Sequence, residues 1–402
     1  MRSAAPHVPL VSGRRSPGDR DDSRSCHHEA VMSAPGTIAP GMSDAVVSGR
    51  SVLIGVAVLL VATHAFAQGP QTGRDMYRDW CAVCHADDGT GRSPRRPVAQ
   101  APIDFTDCRM ASSEPDVDWR LVITRGGPAA GLSAEMPAFE TLTTDQVTEL
   151  VAYLRAFCSE PGWPDGNLNF RRSIYTTKAF PEDEAVVTPV VAHGRTTYTR
   201  VNLEAAFGRR VGRRAEIEVS LPIESVGSVT GRVAGLGDVS VGGKYVLHAD
   251  PRRPLIVTGG VEVSSPTGDR SWGFGEGSHV IQPFVAFGTL WRGVAIQGDV
   301  KGLIFTRRLP AEFYQRVVYD VSFSRDLSAA PDAWAIGVEI SGADRALGMT
   351  PQVIKGLTRT GSLSAGFGVR LPLEPPFPQV RDLVRWTGFV LWEYRKPFRA
   401  RR

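Results

Sequence analysis

Beyond position 158 this 402-residue chain has no cysteine; its five stand at 26, 81, 84, 108 and 158. A disulfide scaffold or a thiolate metal cluster is therefore excluded from the long C-terminal part. Long apolar runs are also lacking. The strongest, residues 52–62, falls short of the ~20 residues a bilayer-crossing helix needs. It follows Arg50 and ends in Ala65-Phe66-Ala67, so it reads as the h-region and cleavage site of a secretory signal, cut before Gln68. No sign of charge dominates: 46 Lys and Arg against 42 Asp and Glu leave +4, so nucleic acid is not an expected partner. His193, His248 and His279 lack metal spacing, and the glycine-rich GFGEG at 273–277 opens no helix to hold a phosphate. No Ser-His-Asp set or paired carboxylates mark a hydrolase, so a carrier is expected before a catalyst.

Residues 1–41 are rich in Arg, Ser and Pro without period. Since signal segments lie close to the initiator, translation is expected to begin at Met42 or Met32. Cys26, His27 and His28 would then be absent from the mature chain. The expected division is an upstream extension and signal (1–67), a helical domain (71–160), a linker (161–183) and a β-domain (184–402).

What is present begins with WCAVCHADDGTG at 80–91. Cys81, Cys84 and His85 form the C-x-x-C-H of covalent c-type haem attachment. Two thiols three residues apart on one helical turn reach both vinyl groups, and the next ring faces the iron. A thioredoxin-like pair or half a zinc site would not require the histidine, and no second Cys pair completes a zinc site.

The surroundings resemble a class I cytochrome c. Residues 73–77 (GRDMY) read as a short N-terminal helix, and ADDGTG is the usual exit from the haem motif. Residues 144–157 make an amphipathic helix with Val147, Leu150, Val151, Leu154 and Phe157 on one face, opened by a Thr143/Gln146 capping box. The resemblance implies one covalent haem c with His85 and Met136 as axial ligands, Met136 lying in AEMPAF after a Gly-Pro loop. Met110 is the alternative sixth ligand, and Pro94 or Pro97 a carbonyl partner for the second nitrogen of His85. A haem enzyme such as a peroxidase would instead need the sixth position open. In an exported domain the two remaining cysteines, Cys108 and Cys158, are expected to pair.

After the linker the period changes from 3.6 to 2. Ile217, Val219, Leu221 and Ile223 alternate with Glu216, Glu218 and Ser220, and about twelve such runs follow one another to the end. The runs are about 9–12 residues, the length that crosses a bilayer at a tilt, whereas soluble sandwich strands average ~5–6. Their polar face carries Arg200, Glu204, Glu218, Glu262, Asp299, Lys301 and Glu339, which a wet lumen accepts. Trp272, Phe274, Trp291, Trp386, Trp392 and Tyr394 fall at run ends, as an interfacial girdle would. The expected fold is thus an all-α cytochrome c domain followed by an antiparallel transmembrane β-barrel of about twelve strands.

Gly235-Leu236-Gly237-Asp238, Gly243-Lys244-Tyr245 and Ser265-Pro266-Thr267-Gly268 resemble an outer-membrane family linked to phenol degradation, which implies passage of small aromatic solutes. The ending Phe398-Arg399-Ala400-Arg401-Arg402 departs from the aromatic terminus usual in outer-membrane proteins. The whole resembles in architecture the fused porin–cytochromes of iron-oxidising bacteria. An even-stranded barrel has both ends on the periplasmic side, where a domain of ~12 Å radius of gyration would dock beneath the mouth, held by the linker. Expected partners are a periplasmic electron carrier, outer-membrane lipid, and a small solute or an extracellular redox partner. Two readings compete: an anchored electron carrier, or a solute channel with a redox-sensing cytochrome.

Overall fold

In a computed structural model of the chain, the described residues are 72–96, 98–158, 160, 162–193, 199–228, 231–307, 317–343, 346–374 and 384–394. The signal segment at 52–67, Met32, Met42, Cys26 with its two histidines, Pro97 and Phe398 with its neighbours lie outside them.

Helix α1 (Gly73–Met76) starts on a Thr72/Asp75 capping box and continues through a π turn (Tyr77–Cys81) into α2 (Ala82–His85). Short α3 (Cys108–Ala111) and α4 (Asp116–Arg125) follow, then α5 (Thr144–Ala156). The α5 start is the capping box read from the sequence: Gln146 N–H donates to Thr143 Oγ1 and Thr143 N–H to Gln146 Oε1. Val147, Leu150, Val151 and Leu154 are buried against Met76 and Tyr77 of the first helical run. Gly73 is required where α1 crosses α5, because a Cβ there would sit 2.3 Å from the Glu149 carbonyl oxygen. A disulfide joins Cys108 at the start of α3 to Cys158 just past α5, with Cα atoms 4.9 Å apart.

Residues 184–393 form one closed antiparallel ring of twelve strands. In chain order these are β1 (Glu184–His193), β2 (Thr199–Val211), β3 (Ala215–Ser228), β4 (Gly231–Leu236 and Val239–Asp250) and β5 (Leu255–Ser265). Then come β6 (Val280–Trp291), β7 (Val294–Gly302 and Ile304–Phe305), β8 (Val317–Asp326), β9 (Trp334–Ala343), β10 (Ala346–Gly356), β11 (Leu363–Glu374) and β12 (Val384–Glu393). Both parts of β4 pair with β3, and both parts of β7 with β6. Neighbours pair in sequence order, and β1 closes on β12 with Glu184 opposite Glu393.

The ring is apolar outside and polar inside. Ile217, Val219, Leu221 and Ile223 of β3 are exposed, while Glu216 and Ser220 on the other face are buried. Val285, Val300, Ile336, Phe367 and Val390 repeat the outward pattern on other strands, against inward Asp299, Glu339 and Thr387. Such an arrangement inverts that of a soluble protein, and hydrocarbon is the solvent that favours it. The barrel therefore spans a membrane. Trp291, Trp334 and Trp392 lie outward at the end that carries Glu184 and Glu393, and Trp386 lies toward the other end. Phe274 is no part of a girdle: it is buried in the loop between β5 and β6, against Gly235, Gly237 and Gly268. Tight turns such as 212–214 and 292–293 join strands at the Glu184 end, whereas that loop, 266–279, lies at the opposite end.

The segment read as a linker holding the helical domain beneath the mouth goes further: residues 168–182 run inside the barrel. Leu168, Phe170 and Phe180 pack on Val246, Ile256 and Ala286 of β4, β5 and β6. Ile174 packs with Val186, Ala335, Ile354 and Phe389 of β1, β9, β10 and β12. A segment touching inward side chains all round a closed ring lies within it. Polar bonds hold it there. Glu339 accepts from the backbone N–H groups of Ile174, Tyr175 and Thr176 at 3.0, 3.1 and 2.9 Å, and from the Thr176 hydroxyl at 2.6 Å. Thr177 N–H donates to Asp299 and the Thr258 hydroxyl to the Ala179 carbonyl. The plug meets several walls in turn, so its sequence carries no period for pattern reading to detect.

Candidate haem site

The haem motif lies where the first helical run ends. The π turn carries Cys81 and the following turn carries Cys84 and His85, so all three face one side. Tyr77, buried beside them, donates its hydroxyl to the Ala86 carbonyl at 2.6 Å and holds the exit from the helix. Ala86 takes a positive φ of 64°, which turns the chain away at once after His85. Asp88 then closes the ADDGTG loop by accepting from Thr90 N–H and hydroxyl.

Cys81, Cys84, His85 and Met136 line one cavity of about 1010 Å³. Its walls include Phe105, Trp119, Ile123, Leu132, Phe139 and Leu154, contributed by α4, α5 and the loops between. The His85 ring stacks on Phe105 at 4.8 Å, and Trp80 stacks on Phe139 at 6.2 Å.

The methionine loop is built by its glycines. Gly127 N–H donates to the Met136 carbonyl at 3.0 Å, and Phe139 N–H to the Ile123 carbonyl at 2.9 Å. A Cβ on Gly127 would lie 2.2 Å from the Ser133 carbonyl oxygen, so only glycine lets the loop fold back this tightly. Met110, on α3, borders the same cavity.

The electrostatics favour haem over the competing readings of the motif. Burial pushes the His85 imidazole down to about 4, against a smaller upward pull from a backbone group of Ile103. The ring is then neutral at pH 7, with a lone pair for a metal. Of the two prolines expected to face the ring's second nitrogen, Pro97 lies outside the described residues. Burial, and then the neighbouring Cys84, push the Cys81 thiol up to about 12. A thioredoxin-like pair needs the opposite shift, since its reactive form is a thiolate of low pKa.

The residues fit a haem in other respects. The cavity is large, mostly apolar, and holds two free thiols. The buried His85 Nδ1 and Trp119 Nε1 have no hydrogen-bond partner. Arg92, Arg96 and Arg109 stand on the wall, where a haem's two propionates require cations. Pattern reading missed these arginines because Arg92 and Arg96 stand in a loop and Arg109 in a helix of one turn, too short to show a period. It also missed Asp183 and Tyr394, which belong to the barrel's end and yet border the cavity.

The motif recognised around Asp238 turns out to be a loop anchor. Asp238 accepts from Gly268 N–H at 2.9 Å and Glu276 N–H at 2.8 Å, while the Thr267 hydroxyl donates to the Gly237 carbonyl. It ties the 266–279 loop to the break in β4.

Comparison with known proteins gives a family match for the helical part. Residues 68–154 match the family described as cytochrome C oxidase, cbb3-type, subunit III. No curated protein matches the chain. Among solved structures, a KdgM porin is similar over 52% of this chain and 99% of its own, with 7% identity and a TM-score of 0.37. A NanC porin gives 9% identity, the same coverages and a TM-score of 0.36. Outer membrane phospholipase A from Escherichia coli gives 9% identity over 56% of this chain and 95% of its own, with a TM-score of 0.33. Likeness at this level says nothing of cargo or catalysis, and the phenol-degradation resemblance is not shown by these matches. The chain joins a cytochrome c domain, which implies haem c, to a closed twelve-stranded β-barrel.

Proposed function

We propose that this chain is an electron-transfer protein anchored in the outer membrane, carrying one covalent haem c on the periplasmic side of its barrel. The observation that carries this reading is the cavity that gathers Cys81, Cys84, His85 and Met136 and is bordered by Asp183 and Tyr394 of the barrel's end. The haem would supply one-electron exchange at its iron. Cys81 and Cys84 would hold it through thioethers, and His85 would offer a neutral imidazole. Met136 is the residue proposed to hold the iron together with His85, because its loop is clamped by Gly127 against the cavity. A Met thioether in such a ligand set would raise the reduction potential. The arginines at 92, 96 and 109 would offset the propionates, and the apolar walls exclude water.

Short turns at the end bearing both barrel termini, with a long loop opposite, support a periplasmic haem domain. The partner proposed is a periplasmic electron carrier. The occupied lumen weighs against a permanently open solute channel.

A haem-stained gel of the purified chain, with and without boiling, tests the reading. One haem-positive band that shifts on heating is expected; haem and heat shift on separate bands would sink it. Met136→Ala should abolish the far-red charge-transfer band of the oxidised protein and lower its potential, while Met110→Ala preserves both. The reverse result would move the ligand to Met110.

A further inference from the structure

We infer that residues 168–182 are a releasable plug, so that the barrel is a gated pore for small hydrated solutes, with the haem domain as the plug's clasp. Three features of the lumen point there. All twelve strands close on one another without the plug, and residues 168–182 add no strand to the ring. Its departure would leave the strand ladder intact. A ring of this size is wider than its own side chains fill. Even with the plug seated, a cavity of about 660 Å³ remains beside it, bordered by Glu204, Glu218 and Glu262 and by Arg200, Lys301 and Arg385. A bore with both signs of charge suits hydrated polar solutes and not apolar ones.

The seal is also uneven. Against β7, β8 and β9 the plug is hydrogen-bonded, through Asp299, Ser322 and above all Glu339, with Ser341 Oγ of β9 left unpaired. Against β10 it is not: there Thr350 Oγ1 and both amide atoms of Gln352 are buried with no hydrogen-bond partner. The hydrogen bonds that oppose opening are therefore concentrated on Glu339.

Both ends of the plug are held by one segment of the haem domain, residues 107–116. Asp116 N–H donates to Asn167 Oδ1 at 2.8 Å, and Asn169 Nδ2 donates to the Ser113 carbonyl at 3.2 Å. A Cβ on Gly166 would lie 2.2 Å from the Glu114 carbonyl oxygen, so the chain enters in close contact. At the exit Arg109 pairs with Asp183. The same segment borders the haem cavity through Asp107, Arg109, Met110 and Ser113. Whatever rearranges that wall acts on both roots of the plug.

Conductance of the full-length holoprotein in planar lipid bilayers tests this independently of any electron-transfer role. The parent chain should stay mostly closed. Glu339→Ala, and replacement of residues 170–180 by a Gly-Ser stretch of equal length, should each raise mean conductance about tenfold or more, toward that of an open aqueous barrel. Asn167→Ala with Asn169→Ala should raise opening frequency without altering the haem spectrum. The proposal is overturned if the 170–180 replacement, folded by its heat-shifted migration, conducts no more than the parent. It is equally overturned if the parent conducts as freely as the replacement. Should Glu339→Ala fail to fold, Glu339→Gln provides the same reading of the latch.

Discussion

The two halves of this chain bury opposite faces. In the haem domain Val147, Leu150, Val151 and Leu154 turn inward, and Asp145 and Glu149 of α5 turn out. In the barrel Val219, Val261 and Val390 turn outward, and Glu216, Asp299 and Glu339 turn in. One polypeptide thus obeys two solvents. Water sets the helical half, where removing apolar surface drives folding. Hydrocarbon sets the other, where every backbone group must be paired and closing the ring removes the unpaired edge. The difference teaches that a polar residue in the core means different things in the two halves. In the barrel it is the normal lining, here put to use in binding a plug.

Substitutions can break or sharpen this contrast. The largest effect is expected from Cys108→Ser with Cys158→Ser. The bridge spans 50 residues of sequence, and loss of such a constraint on the unfolded chain is worth about 4 kcal/mol. Denaturant unfolding followed at the haem should reveal it, while the barrel's heat-shifted migration stays unchanged. Next is Val261→Arg, on the outward face of β5. An arginine at mid-bilayer costs about 3 kcal/mol, so refolding into vesicles should weaken by that amount with the haem spectrum intact. The smallest is Thr143→Ala, which removes half of a capping box and should cost the haem domain about 1 kcal/mol by thermal melting. If Val261→Arg proved neutral, the outward face would not be meeting lipid.

Legibility in the sequence differed between the halves for a physical reason. Local patterns were readable wherever one face of an element meets one environment. The period-2 runs foretold β3, β5 and β9, and the 3.6 period with its Thr143/Gln146 cap foretold α5. C-x-x-C-H was readable because haem attachment constrains neighbours in sequence. Met136 could be picked out only through a resemblance, since no local rule brings it to His85. Phe274 looked like a girdle residue because it stands at a run end, and only packing against Gly235 and Gly268 shows it buried. The plug was read as a tether because its residues meet many walls and so follow no period.

By itself, then, the sequence determined which chemistry the chain carries and which solvent each half prefers. Both are written in neighbours and in alternation, which act at short range. The tertiary structure alone decided that the segment after the haem domain fills the lumen, that Glu339 grips it, and that the haem cavity is bordered by the barrel's Asp183 and Tyr394. The Glu339 grip and the place of Tyr394 join residues more than a hundred positions apart, and only closure of the ring brings them together.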